Sequence, residues 1–163
     1  MTWATEESGL LFAISVKSIN WKDKKTKNYQ KNLTNRRGDM LFESVTLHRR
    51  FPYAVLAGFI FLDQEADKDS TDRRRSTFRN AHTRLRLFTH RDDPGGRDEQ
   101  YERLYLVLLD ANPTSPRLKT YRVGEPESQL PLEKAFDELV RIIAERNPDF
   151  YEYDAGTLVK ASG

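Results

Sequence analysis

Apolar and polar positions alternate along this chain with periods that change from segment to segment, and the changes predict seven elements. Residues 10–19 read as a strand, with Leu11, Phe12, Ile14 and Val16 apolar and Gly9 as a turn signal ahead of it. Residues 21–30 are rich in lysine and show no period, which reads as a loop. Residues 31–51 carry a helical period. Leu33, Met40, Leu41, Ser44, Leu47, His48 and Phe51 fall on one face, and Asn32, Asn35, Arg36, Asp39, Glu43 and Arg50 on the other. Gly38 sits inside this helix at some cost, and Pro52 ends it. Residues 53–62 are continuously apolar, as in a strand covered on both faces. A charged loop over 64–72 leads into a second helix at 73–88, with Phe78, Ala81, Leu85 and Phe88 as its buried stripe. Asp92, Pro94, Gly95 and Gly96 mark a turn. Residues 103–110 are another buried strand and 118–123 a shorter one. Residues 132–146 form an amphipathic helix opened by Pro131 and closed by Asn147 and Pro148.

The order is strand, helix, strand, helix, strand, strand, helix. It predicts an α/β fold with a central mixed sheet flanked by helices, its parallel neighbours joined by right-handed crossovers. The 163 residues suit a single domain, with a core over 1–150 and a C-terminal tail over 151–163. No internal repeat is visible.

Composition narrows the chemistry. The chain has no cysteine, which excludes disulfides, thiolate metal sites and cysteine nucleophiles and fits a reducing compartment. Glu6 and Glu7 near the start, with no basic segment and apolar stretch, do not read as a signal peptide. The longest apolar run is too short for a bilayer span, so the expectation is a cytoplasmic protein with no membrane contact. Net charge is only +2, but it is unevenly placed. Lys17, Lys22, Lys24, Lys25, Lys27 and Lys31 crowd one region, and Arg73, Arg74, Arg75, Arg79, Arg84, Arg86 and Arg91 another. Such clusters suit a phosphate-bearing partner, with a merely solvated surface as the alternative.

Ser15 and Lys17 are polar positions near the end of an otherwise apolar strand, and alternation puts both on one face. A lysine there can hold an attacking water or stabilise charge on a phosphorus centre. The alternative is a lysine emerging from the sheet rim. Asp39 and Glu43, four apart, share a helix face with Asn35 and Arg36 on the same side. Carboxylates so placed can bind Mg²⁺, which takes oxygen ligands, or can form ordinary surface ion pairs. Of the three histidines, His48 falls on the buried side of its helix, and His82 and His90 sit among arginines that disfavour protonation. No zinc-hydrolase histidine pair, phosphate-binding glycine loop, dinucleotide fingerprint or nucleophile elbow occurs.

Three stretches, Phe12-Ala13-Ile14-Ser15-Val16-Lys17-Ser18-Ile19-Asn20, Lys31-Asn32-Leu33-Thr34-Asn35-Arg36 and Leu47-His48-Arg49-Arg50-Phe51-Pro52-Tyr53-Ala54-Val55-Leu56, resemble the PD-(D/E)XK nuclease superfamily, restriction endonucleases in particular. The resemblance implies Mg²⁺-dependent hydrolysis of phosphodiester bonds in double-stranded DNA, within a restriction-modification system. Lys17 matches the motif lysine. Ser15 stands where the acid is usual, and in some relatives with Ser-x-Lys the following helix supplies the carboxylate. That makes Lys17, Ser15, Glu43 and Asp39 the implied catalytic set and Glu43, Asp39 and Glu7 the implied metal ligands. Lys22, Lys24, Lys25, Lys27, Lys31, Asn35 and Arg36 are the implied DNA contacts. The family's metal-binding Asp belongs upstream of residue 10, where this chain has Glu6 and Glu7 but no Asp. Residues 6–9 read as a hairpin turn, so the expectation is a chain lacking the family's N-terminal helix and first strands.

Three functional readings follow. The first is an active Mg²⁺-dependent endonuclease. The second is an inactive or truncated nuclease-like domain that grips DNA through phosphates without reading sequence. The third is a subunit or assembly domain, paired as a homodimer through an exposed edge of the strand at 10–19.

Overall fold

The computed structural model describes residues 1–19 and 21–161. Asn20, at the end of the first resembling stretch, and Ser162 and Gly163 of the tail lie outside the described residues. The chain runs β1 (Thr2–Thr5), β2 (Gly9–Ile19), α1 (Gln30–Arg50), β3 (Val55–Asp63), α2 (Thr77–Leu85), β4 (Arg103–Asp110), β5 (Arg117–Arg122), β6 (Gln129–Leu130), α3 (Leu132–Arg146), β7 (Tyr151–Asp154) and β8 (Thr157–Lys160). The first six strands form one mixed sheet in sequential order. β2, β3 and β4 are parallel, while β1, β5 and β6 join antiparallel to their neighbours. The expected α/β architecture is therefore present, and β7 and β8 form a separate hairpin.

Period-2 alternation along β3 explains the two-faced core. Leu56, Ile60 and Leu62 face a layer that includes Leu33 and Met40 of α1 and Phe78, Ala81 and Leu85 of α2. Val55, Ala57 and Phe59 face Ala135, Leu139 and Ile143 of α3. This is why the strand reads as continuously apolar in sequence: both of its faces are covered. β2 shares the pattern at Ala13 and Ile19, which belong to the α1 layer. Ser15 and Lys17 fall between them on the same parity, so the strand points two polar groups at α1.

Several boundaries differ from the sequence reading for identifiable reasons. The second helix starts at Thr77 rather than residue 73, because the Ser76 side chain caps it by accepting from Arg79 N at 3.2 Å. Its last turn tightens into a 3₁₀ turn at Arg86–Phe88. Leu41, expected on the buried face of α1, is exposed. The strand at 10–19 is also not open along its whole edge. β1 pairs with it from Thr2 opposite Ala13 to Thr5 opposite Gly9, after a turn at residues 6–8 that Gly9 completes with φ +67°. Met1 extends the contact by exchanging backbone hydrogen bonds with Ile14. Beyond Ile14, that side of β2 has no partner strand among the described residues. No described helix is long and apolar enough to cross a membrane.

One buried ionic cluster fastens the layers together. Glu102, fully buried just ahead of β4, accepts from Leu56 N at 2.6 Å and from Arg91 at 3.3 Å, and pairs with Arg146 of α3. His48 of α1 lies 3.4 Å from the same carboxylate. Burial would raise the Glu102 pKa, but the nearby His48 ring and the Arg146 charge outweigh it and hold the pKa below the usual carboxylate range. Arg91, counted by sequence within a basic surface cluster, is thus a core residue at 1% exposure.

Candidate functional site

β2 and α1 build the site. Glu43, midway along α1, reaches down to the two polar residues of β2. Ser15 Oγ donates to Glu43 Oε2 at 2.5 Å, and Lys17 Nζ donates to Glu43 Oε1. The Lys17 side chain is largely covered, at 17% exposure, so this ion pair is less screened than a surface pair. These groups line a cleft of about 380 Å³ with Met1, Thr2, Leu47, Leu56 and Tyr101.

Close approach of α1 to the sheet depends on Gly58. It lies beside Ser15 in the parallel register, and a Cβ there would stand 2.5 Å from Met40 Cε and 2.4 Å from Leu104 Cδ2. The glycine therefore lets Met40 sit down onto the strand, which brings the next turn of α1, with Glu43, level with Ser15. At the helix start, Asn28 Oδ1 accepts from Gln30 N at 2.9 Å and Asp69 accepts from Tyr29 N at 3.3 Å. At its end, the Phe51 backbone N–H closes on Leu47 O at 2.7 Å.

The structure brings Ser15, Lys17 and Glu43 together and leaves the other implied ligands apart. Asp39 is one turn up the helix, exposed, and 3.4 Å from Arg36. Its carboxylate pairs along the helix surface and does not line the cleft. Glu7 sits in the turn at the opposite end of β2. Six residues of extended chain separate Gly9 from Ser15, about 20 Å at ~3.3 Å per residue. Among the described residues no group of three or more His, Asp or Glu side chains lies together as a metal cage.

The donor set suits a hard cation that keeps much of its own hydration. Glu43 and the Ser15 hydroxyl offer oxygen ligands, and Mg²⁺ is commonly held by one or two carboxylates with phosphate and water completing the shell.

Tyr101 is the site residue that sequence reasoning missed. It is 2% exposed, and its hydroxyl donates to Met40 O at 3.1 Å. Burial, then the charge on Glu43, push its phenol well above the usual range, while contact with the Ser15 hydroxyl works the other way. Its position in the polar run 97–102 gives no signal of this role. Gly58 was detectable, since a glycine within an apolar strand marks a close approach.

The implied DNA contacts are surface groups. Lys22, Lys24, Lys25, Lys27 and Lys31 are all exposed, as is Asn35, while Arg36 is half-buried. Asp23 organises the loop by accepting from Lys25 N, Thr26 N and Thr26 Oγ1 at 2.8 to 3.0 Å. Hydrogen bonds from the Thr26 backbone and hydroxyl lower its pKa, with the charge of Lys31 adding to them. Lys22 lies 5.5 Å from the Tyr29 ring centroid. In the arginine region Arg79 is paired with Glu127, and Arg74 donates to Asp69 O. Arg73, Arg75, Arg84 and Arg86 are exposed. His82 is buried and accepts from Gly124 N at 3.0 Å. Burial, then the Arg79 charge, lower its pKa to about 4, in line with the expected neutral form.

No family model matches the chain, and no curated protein and no solved structure matches it.

Proposed function

We propose that this chain is a divalent-cation-dependent DNA phosphodiesterase of the restriction-endonuclease type. The observation that carries the reading is the meeting of Ser15 and Lys17, from one strand face, with Glu43 from the following helix inside a single cleft. A Mg²⁺ ion, held by Glu43 with Ser15, would supply Lewis-acid stabilisation of the phosphate. Lys17 carries the remaining chemistry. Its ammonium can orient a water toward phosphorus and offset the negative charge that develops on the phosphate oxygens. Ser15 orients Glu43 by donating to one carboxylate oxygen while Lys17 engages the other. The exposed lysines of residues 22–31 follow directly from the end of β2, two residues past Lys17, where they would contact the DNA backbone.

One observation favours a second reading, a nuclease-like domain that binds DNA without cutting it. Glu43 is the single carboxylate lining the cleft among the described residues. Incubation of supercoiled plasmid with the protein, with and without Mg²⁺, separates the two. The nuclease reading expects nicked or linear product only with Mg²⁺, reduced at least 100-fold by Lys17→Ala. Salt-sensitive binding with intact plasmid under all conditions would support the binding domain instead.

A further inference from the structure

The loop after β2 presents an aromatic ring among lysines. Trp21 is 78% exposed, whereas Trp3, 39% exposed, lies against the Tyr151 ring at 5.5 Å. Trp21 forms one side of a shallow groove of about 250 Å³, with Lys22, Lys24, Lys31 and Asn32 around it. The loop behind the groove is closed on itself. Asp23 N donates to Asn28 O and Lys27 N donates to Asp23 O, both at 2.8 Å, and Lys27 completes the turn in a left-handed conformation at φ +54°. The Asp23 carboxylate is turned into this loop, where Lys25 N, Thr26 N and the Thr26 hydroxyl donate to it, and it meets only Lys31 among the lysines, at 3.5 Å. Among the described residues Lys24, Lys25 and Lys27 meet no carboxylate, so the groove stands in an excess of positive charge.

We propose that this groove binds single-stranded DNA, with a base stacked on the Trp21 indole and its flanking phosphates held by Lys24 and Lys31. This deepens the phosphodiesterase reading, on which it rests for the nature of the polymer, by naming the form of DNA held beside the cleft. Lysines alone would suit any phosphate polymer. The indole favours an unpaired strand, because in a duplex both faces of each base are already covered by its neighbours, whereas a single strand offers them to an aromatic platform. The Asn32 amide, which can donate and accept, lies where it could meet a base edge. A bilayer surface also attracts lysines, but residues 22–28 carry no further apolar side chain to enter it and Tyr29 is buried. Trp21 follows Lys17 by four residues, so their Cα atoms are at most about 14 Å apart, and a strand held on Trp21 passes close to the cleft.

The test measures binding to the full chain by fluorescence anisotropy, in EDTA so that cleavage plays no part. The probes are a short labelled oligothymidine and the same strand annealed to its complement. Wild type is compared with Trp21→Ala and Trp21→Phe, and melting temperatures confirm that the variants fold. Wild type is expected to bind the single strand more tightly than the duplex. Trp21→Ala is expected to weaken single-strand binding about 5- to 100-fold, the range for loss of one stacked base, and Trp21→Phe to restore most of it. Duplex binding is expected to change less than about twofold in either variant. Equal or tighter binding of the duplex overturns the proposal, as does single-strand affinity that Trp21→Ala leaves unchanged. Trp21-dependent binding to phosphatidylserine vesicles without single-strand binding overturns it in favour of a membrane surface. Trp21-dependent single-strand binding by a protein that cuts no DNA in Mg²⁺ supports the groove and contradicts the phosphodiesterase reading. Mg²⁺-dependent plasmid cleavage without single-strand binding does the reverse.

Discussion

Replacing Gly58 by alanine tests whether the site depends on how closely α1 lies on the sheet. The new Cβ would stand 2.4 Å from Leu104 Cδ2 and 2.5 Å from Met40 Cε, where ordinary contact needs more than about 3.4 Å. Each neighbour must therefore give by about 1 Å. Both are side-chain ends, but Leu104 is 2% exposed and Met40 3% exposed, so neither has open space to move into. Over-packing of this kind costs about 1–3 kcal/mol. Reduced freedom of the unfolded chain returns roughly 0.4–1 kcal/mol. The net expectation is a loss of about 1–2 kcal/mol, or a fall in melting temperature of roughly 3–8 °C for a chain of this size. If Met40 gives by lifting α1, Glu43 moves away from Ser15, and the 2.5 Å hydrogen bond between them breaks. Cleavage should then fall at least 10-fold, because a displacement of about 1 Å at a reacting centre is enough for such a loss. Urea unfolding of Gly58→Ala, Met40→Ala and the double variant supplies the assay. The double variant should be at least about 1 kcal/mol more stable than the sum of the single effects predicts, since removing the Met40 thioether opens the space the Cβ needs. A Gly58→Ala protein within about 0.5 kcal/mol of wild type, or strictly additive effects, would refute the reasoning.

Two further expectations concern buried titratable groups. Glu102→Gln leaves Arg91 and Arg146 buried without their counter-charge and should cost about 3–5 kcal/mol in urea unfolding. A loss under about 1 kcal/mol would show the cluster to be replaceable. His82 has a folded pKa of about 4 against an ordinary 6.5, so between those values the unfolded state binds more protons. Its contribution is fully present above pH 6.5 and is lost as pH falls toward 4. The ceiling is roughly 3 kcal/mol, from 1.36 kcal/mol per pH unit. His82→Asn, which can keep an acceptor for Gly124 N, should flatten the pH dependence of unfolding over that window, and an unchanged slope would count against the assignment.

Long apolar runs made the central strands legible, since β2, β3 and β4 are covered by α1 and α2 on one face and α3 on the other. α3 was bounded by Pro131 and Asn147 on the same logic. The short strands were not legible, because β1, β6, β7 and β8 bury little and so carry no strong alternation. At the site, parity alone placed Ser15 and Lys17 on one face. Choosing between Asp39 and Glu43 required the depth of α1 on the sheet, and that is set by Gly58 and Met40. Charge was the least readable property. Arg91, Glu102 and Arg146 look like solvated positions in sequence, yet they form a buried cluster assembled from separate elements.

The most direct test of the central claim is plasmid cleavage in Mg²⁺ by Glu43→Gln and Asp39→Asn side by side with wild type. The two carboxylates share a helix face, but only Glu43 meets Ser15 and Lys17. Cleavage is expected to be lost in Glu43→Gln and kept within about twofold in Asp39→Asn, with both proteins folded. Wild-type activity that survives Glu43→Gln, or that is lost only in Asp39→Asn, would contradict the account.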